Sequence, residues 1–279
     1  MAVSEGPYFY MDEPFRDNFY NILRHASSTY ALIEGLDYLG EDLTIVEKAI
    51  NYVIENYFYD NEGVGYIFDD TKDINEIKLG QNAAFIFAVC EYLKHNPNKQ
   101  YLCVAQKVAR GILSMINQDT YETTHILNYP DLTVKESFRI IYYDGEAALA
   151  LLRLYQLNNN KVLLDTVKLM FDNFISNSYE KYHDHWLSYC TNELTLVCPE
   201  VKYYQFGINN YLNHMDFIKN RKTVYATFLE MMMSAYKMVN RLNIQGHDNL
   251  FKSAKFEELK SLIQLRAEFQ RTGFFYPEV

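Results

Sequence analysis

The sequence predicts an all-α fold of the α/α toroid class, and three observations predict it. A hairpin-sized pattern repeats along the chain. Turn-forming residues are scarce, with 11 Gly and 6 Pro in 279 residues. Hydrophobic residues make up 49% of the chain, so a large core is available. All-β sandwiches and barrels need many turn residues, so the scarcity favours long helices joined by short polar loops.

The elements follow in chain order. A first copy reads residues 25–36 and then 43–57. The clearest copy is residues 81–93 followed by 99–113, and a shift of 62 positions lays 144–155 and 161–175 on it without a gap. Tyr101 and Leu102 land on Leu163 and Leu164, Ala105 on Val167, and Ile112 and Leu113 on Phe174 and Ile175. The connecting loops KHNPN and QLNNN coincide, and both are short, polar and Asn-rich, as an antiparallel helical hairpin requires. A weaker copy begins at 184–194 and returns over 203–217, and a last one spans 223–241 with its partner near 251–268. Each first helix is apolar almost all round, the pattern of a buried inner helix. Each second helix is amphipathic: Leu163, Val167, Met170, Phe171 and Phe174 recur at 3–4 spacing, which makes an outer helix with one wet face.

Alternating inner and outer helices describe either a toroid or an open superhelical stack. The links 60–80 and 118–143 are long and irregular. That favours the toroid, whose rim loops carry function. The expectation is a single domain over 1–279, with an extended lead-in over 1–16. About five hairpins are present where a full ring needs six, so the ring is expected to be incomplete or its C-terminal end truncated.

Composition excludes several classes. The net charge of −10, with no basic run longer than Arg221-Lys222, argues against nucleic acid. Cys90, Cys103, Cys190 and Cys198 form no C-x-x-C pair and read as small hydrophobes in a reducing compartment. No signal peptide and no 18-residue apolar run is present, so membrane insertion is not expected and the chain reads as cytoplasmic. Its 25 Tyr and 18 Phe suit the wall of a wet cavity, and equally an A/T-rich coding bias.

The helix openings around Arg24-His25, Gly80-Gln81-Asn82, Tyr143-Asp144-Gly145-Glu146 and Asp184-His185-Trp186 resemble those of the six-hairpin glycosidase-like superfamily. The likeness covers roughly residues 17–240 and is a pattern of hairpins without one diagnostic motif. It implies a carbohydrate-active enzyme of hydrolase, lyase or epimerase type, acting on a bacterial surface polysaccharide or its fragments. It equally implies a non-catalytic helical glycan-binding or scaffold domain of a polysaccharide-biosynthesis protein, with further domains in a longer polypeptide. Either way the partner is a saccharide, and no cofactor or metal is expected.

In a toroid, polar residues at the starts of inner helices gather around one mouth. Sugar chemistry needs a proton donor and a second carboxylate, about 5–5.5 Å apart for retention and about 6.5–9.5 Å for inversion. Glu146 and Asp184 are the candidate catalytic pair. Arg24, His25, Gln81, Asn82, Tyr143, Asp144, His183, His185 and Trp186 are the candidate substrate contacts, with Trp186, the sole tryptophan, as a stacking face. Plainer readings stand beside these. Asp144 and Asp184 suit helix caps, Glu146 suits a helix N-terminus, Arg24 and His25 suit inter-hairpin pairing, and Trp186 suits the core. His183-x-His185 would need an extended segment and a third ligand, such as Cys190 or His214, to hold a metal. Ser27-Ser28 lack a nucleophile elbow, and Gly63-Val-Gly65 lacks the rest of a dinucleotide fingerprint.

Overall fold

The structure is a computed structural model that describes residues 20–70, 74–221, 223, 225–244 and 246–272. The expected 1–16 lead-in lies outside the described residues. The helices are α1 (Ile22–Leu39), α2 (Thr44–Tyr57), α3 (Leu79–His95), α4 (Lys99–Ser114), α5 (Tyr142–Asn158), α6 (Lys161–Ser176), α7 (His185–Val197), α8 (Val201–Leu212), α9 (Met215–Asn220), α10 (Ala226–Ile244), α11 (Asp248–Ser253) and α12 (Phe256–Thr272). Inner helices pack in succession, α1 on α3, α3 on α5, α5 on α7 and α7 on α10, and each keeps its following helix outside. This is an all-α toroid, with five hairpins among the described residues.

Local chemistry sets the hairpins. Asn98 and Asn160 occupy the same place in the repeat, and each caps the outer helix that follows. Asn98 Oδ1 accepts from the Gln100 and Tyr101 N–H groups, and Asn160 Oδ1 from that of Val162. Gly40 ends α1 in the left-handed conformation at φ 69°. Inner helices α3 and α5 are buried on nearly every face, whereas α4 and α6 bury one stripe, Val104, Val108 and Ile112 in one and Leu163, Val167 and Phe174 in the other. One core runs continuously from α1 to α8, and an adjoining cluster joins α8 to α12 around Tyr204, Met232 and Leu259.

Two features depart from the sequence reading. The links 60–80 and 118–143 are not irregular throughout. Strands β1 (Phe58–Asn61) and β2 (Val64–Ile67) form an antiparallel hairpin, and β3 (Glu76–Lys78), β4 (Ile126–Asn128) and β5 (Val134–Glu136) form a small sheet. The first hairpin turns through Glu62 and Gly63, both at positive φ (53° and 89°), a two-residue turn that matches strand twist. The outer return expected over 203–217 breaks after Leu212. There the His214 N–H donates to Tyr211 O at 3.0 Å and redirects the chain into α9.

Candidate functional site

The leading ends of α5 and α7 meet in a buried acidic cluster. Asp184 caps α7: its Oδ1 accepts from the Trp186 N–H at 3.0 Å and its Oδ2 from the Leu187 N–H at 3.3 Å. Gly145 of α5 lies directly against it. A Cβ there would stand 2.3 Å from Asp184 Oδ2 and 3.0 Å from Trp186 Cβ, so only glycine allows the two helices this approach. On the other side of α5, Glu146 leans on Gly80 of α3, where an added Cβ would meet Glu146 Oε2 at 2.3 Å and the Tyr143 ring at 2.5 Å. Two glycines therefore bring three inner helices together around two carboxyls.

Burial governs the charge state of the cluster. Asp184 is 0% exposed and Glu146 8%. Desolvation pushes Asp184 up to about 8, against the pull of its two backbone N–H donors and with help from the charge of Asp144. Desolvation, then the charge of Asp184, hold Glu146 well above the usual carboxylate range. Burial lowers His185 to about 4. At neutral pH Asp184 and Glu146 are therefore held towards the protonated form while His185 is neutral, the kinds of group that general acid and general base chemistry uses. Glu146 Oε2 and Asp144 Oδ2 are buried without a hydrogen-bond partner. His185 links the cluster to α10. Its Nδ1 lies 3.5 Å from Asp184 Oδ1, and its Nε2 lies 3.8 Å from Oε2 of Glu230 on α10. Desolvation, then the charge of Glu34, raise Glu230 as well.

The structure brings together Tyr143, Asp144, Glu146, Asp184, His185 and Trp186. Trp186 is half-buried and stacks on Phe87 of α3, with centroids 5.2 Å apart, between His185 and Tyr189. Deeper along α5, Arg153 pairs with Glu193 of α7 at 2.9 Å and lies over the Tyr30 and Phe87 rings.

Five other sequence candidates lie elsewhere. Arg24 is exposed on α1, where its backbone N–H donates to the Asn21 cap. His25 turns towards α2, with Nε2 at 3.0 Å from Ala49 O and its ring stacked on Tyr52. Gln81 and Asn82 turn back to the strands. Asn82 Oδ1 accepts from the Ile67 N–H at 2.7 Å and its amide donates to Lys78 O at 2.8 Å, while Gln81 Nε2 donates to Ile67 O at 2.6 Å. They satisfy strand-end backbone groups that burial would otherwise strand. His183 diverges from His185: its Nδ1 meets Asn210 O at 2.7 Å and its ring stacks on His214. Among the described residues, no three His, Cys, Asp or Glu side chains converge to hold a metal ion.

Sequence reasoning missed His125. Its Nδ1 accepts from the Arg139 and Ile140 N–H groups at 2.9 and 3.3 Å, so the proton sits on Nε2, 3.6 Å from Asp144 Oδ1. Thr123 Oγ1 also donates to Asp144. Nothing local marked His125, because it reaches the cluster from a link whose strand pairing was unread. Glu230 and Glu34 were missed because they sit inside helices rather than at an opening.

No family model matches the chain, and no curated protein matches it. Solved structures do. A cellobiose 2-epimerase from Bacillus thermoamylovorans is similar over 90% of this chain and 76% of its own, with a TM-score of 0.66 and 13% identity. A sugar epimerase from a ruminal bacterium is similar over 87% and 75%, with a TM-score of 0.61 and 14% identity. A family 76 glycoside hydrolase (mannosidase) from Bacteroides thetaiotaomicron is similar over 80% and 70%, with a TM-score of 0.53 and 13% identity. At such identities the likeness establishes the fold alone, an α/α toroid.

Proposed function

We propose that the chain is a carbohydrate-active enzyme of hydrolase, lyase or epimerase type, with Glu146 and Asp184 as its carboxyl pair. One observation carries the reading. Two carboxyls that burial holds towards the protonated form sit at the leading ends of adjacent inner helices, one of them 3.5 Å from a neutral imidazole. The sugar-acting names of the similar structures support the same substrate class. In this reading Glu146 donates a proton to the sugar oxygen, and neutral His185, positioned by Asp184, accepts the proton on the opposite transfer. Tyr143, Asp144 and Trp186 shape the pocket wall. The saccharide is a bacterial surface polysaccharide or a fragment of one, met in the cytoplasm by a single domain over 1–279, with further domains in a longer polypeptide. No helix among the described residues is long and apolar enough to cross a membrane.

The test is product formation from mono- and oligosaccharides, followed by NMR at the reducing end. Glu146→Gln and Asp184→Asn are each expected to lower turnover by at least about a hundredfold while the fold persists, the scale of losing one general acid or base. Unchanged rates in both variants would refute the assignment.

A second reading, a non-catalytic glycan-binding or scaffold domain, draws on a specific observation. Both Asp184 oxygens are engaged in capping α7, and the carboxyl is fully buried. That reading expects saccharide binding with no product formed.

A further inference from the structure

Two chains of touching aromatic rings run to the surface near the leading ends of α5 and α7. Beside Asp184, His183 stacks on His214 with centroids 4.2 Å apart, and His214 stacks on Phe217 at 4.6 Å. Phe228 then bridges edgewise from Phe217 to Tyr225, at 5.9 Å to each. Beside Asp144, the Tyr143 ring meets His125 at 5.4 Å, and His125 meets Phe138 at 4.8 Å. The outer members of both paths face water: Phe138 is 61% exposed, Phe217 48% and Tyr225 54%.

Folding does not ask for these three rings. Each leaves much of its apolar face wetted and so forgoes much of the gain from burial. Single exposed hydrophobes are ordinary, but here their positions coincide. Phe138 precedes α5, Tyr225 precedes α10, and Phe217 follows α8, whose C-terminal end is tied to the start of α7 by the Asn210 amide on Asp184 O at 2.9 Å. All three therefore lie at the end of the ring where α5, α7 and α10 begin, the end that carries Glu146 and Asp184.

An occupant of that rim must offer flat apolar faces and also tolerate an acidic protein. Pyranose units present C–H faces that pack on aromatic rings. The net charge of −10 disfavours a polyanionic chain. We propose that Phe138, Phe217 and Tyr225 are outer subsites that hold the flanking units of an uncharged saccharide chain. The site then serves an oligo- or polysaccharide rather than a free monosaccharide. This inference rests on the carbohydrate reading above and adds its substrate length and the residues that read it.

Calorimetric titration with cello- and manno-oligosaccharides of increasing length, from two to six units, tests it. The full chain is expected to bind the hexasaccharide of one series at least about tenfold more tightly than the disaccharide, a gap that one well-packed aromatic contact can supply. In a Phe138→Ser, Phe217→Ser, Tyr225→Ser variant the length dependence is expected to flatten. The exposed positions let the variant fold, which its thermal transition confirms. Equal affinity at every length in the unmodified chain overturns the outer subsites and leaves the sugar reading standing. A length dependence that survives the triple substitution overturns the assignment of these residues. Failure of both series to bind at any length removes the sugar reading, and the subsites with it.

Discussion

Replacing Asp184 by asparagine is expected to flatten the fall in stability as pH rises above neutrality. Asp184 titrates near 8 in the folded chain against 3.8 as a free side chain. Between those values the folded state keeps a proton that the unfolded state has lost. Raising the pH therefore favours unfolding, by about 1.4 kcal/mol per pH unit for one full proton. The stabilisation is complete below the unfolded value and is lost as pH rises through the folded one. His185 works in the opposite sense. Its value falls from 6.5 to about 4, so its contribution grows with pH across that window and is complete above it. From about pH 6.5 to 7.5 the histidine contributions, those of His185 and of His214, are dying away and are common to both proteins, so the difference between the two slopes reports the carboxyls. Glu146 shifts in the same direction as Asp184 and steepens the slope in both proteins, less so in the variant, which lacks the Asp184 charge. Asparagine keeps one oxygen to cap α7 and gives up the second acceptor, a loss that does not vary with pH and so leaves the slope to report the titration. Urea unfolding at 25 °C across this interval should give a slope shallower by about 1.4 kcal/mol per pH unit in the Asp184→Asn variant. Equal slopes, or an unmodified chain that gains stability as pH rises, would refute the protonated, desolvated cluster.

Four further outcomes follow from the packing. Gly145→Ala drives a methyl into Asp184 Oδ2 and the α7 cap, and should cost about 2–4 kcal/mol through overpacking and cap loss. Gly35→Ala, with no atom within 4 Å of its added Cβ, should instead gain about 0.5–1 kcal/mol from helix propensity; denaturant midpoints read both. Asn82→Ala leaves the Ile67 N–H and Lys78 O without their buried partners. It should cost about 2–4 kcal/mol and speed amide exchange at Ile67. Asn160→Ala removes only the α6 cap, so it should lower stability by about 1 kcal/mol in the same unfolding assay.

The sequence by itself determined the helical hairpins, because their causes are local. The 62-residue repeat sets inner against outer helices, and the paired Asn98 and Asn160 caps fix where outer helices begin. It also marked Glu146 and Asp184 as carboxyls at helix openings. Only the tertiary structure decided which opening residues face one another. Each step along a helix turns a side chain by about 100°, so neighbours in sequence part company. Gly80 packs on Glu146 while Gln81 and Asn82 bond to Ile67, and His185 approaches Glu230 while His183 approaches Asn210. His125 and Gly145 carry no local signal at all. One reaches Asp144 through the β3–β4 pairing, and the other matters only because α7 lies 2.3 Å from where its Cβ would stand. Periodicity resides in the chain, whereas convergence depends on helix phase and on links closed across dozens of residues.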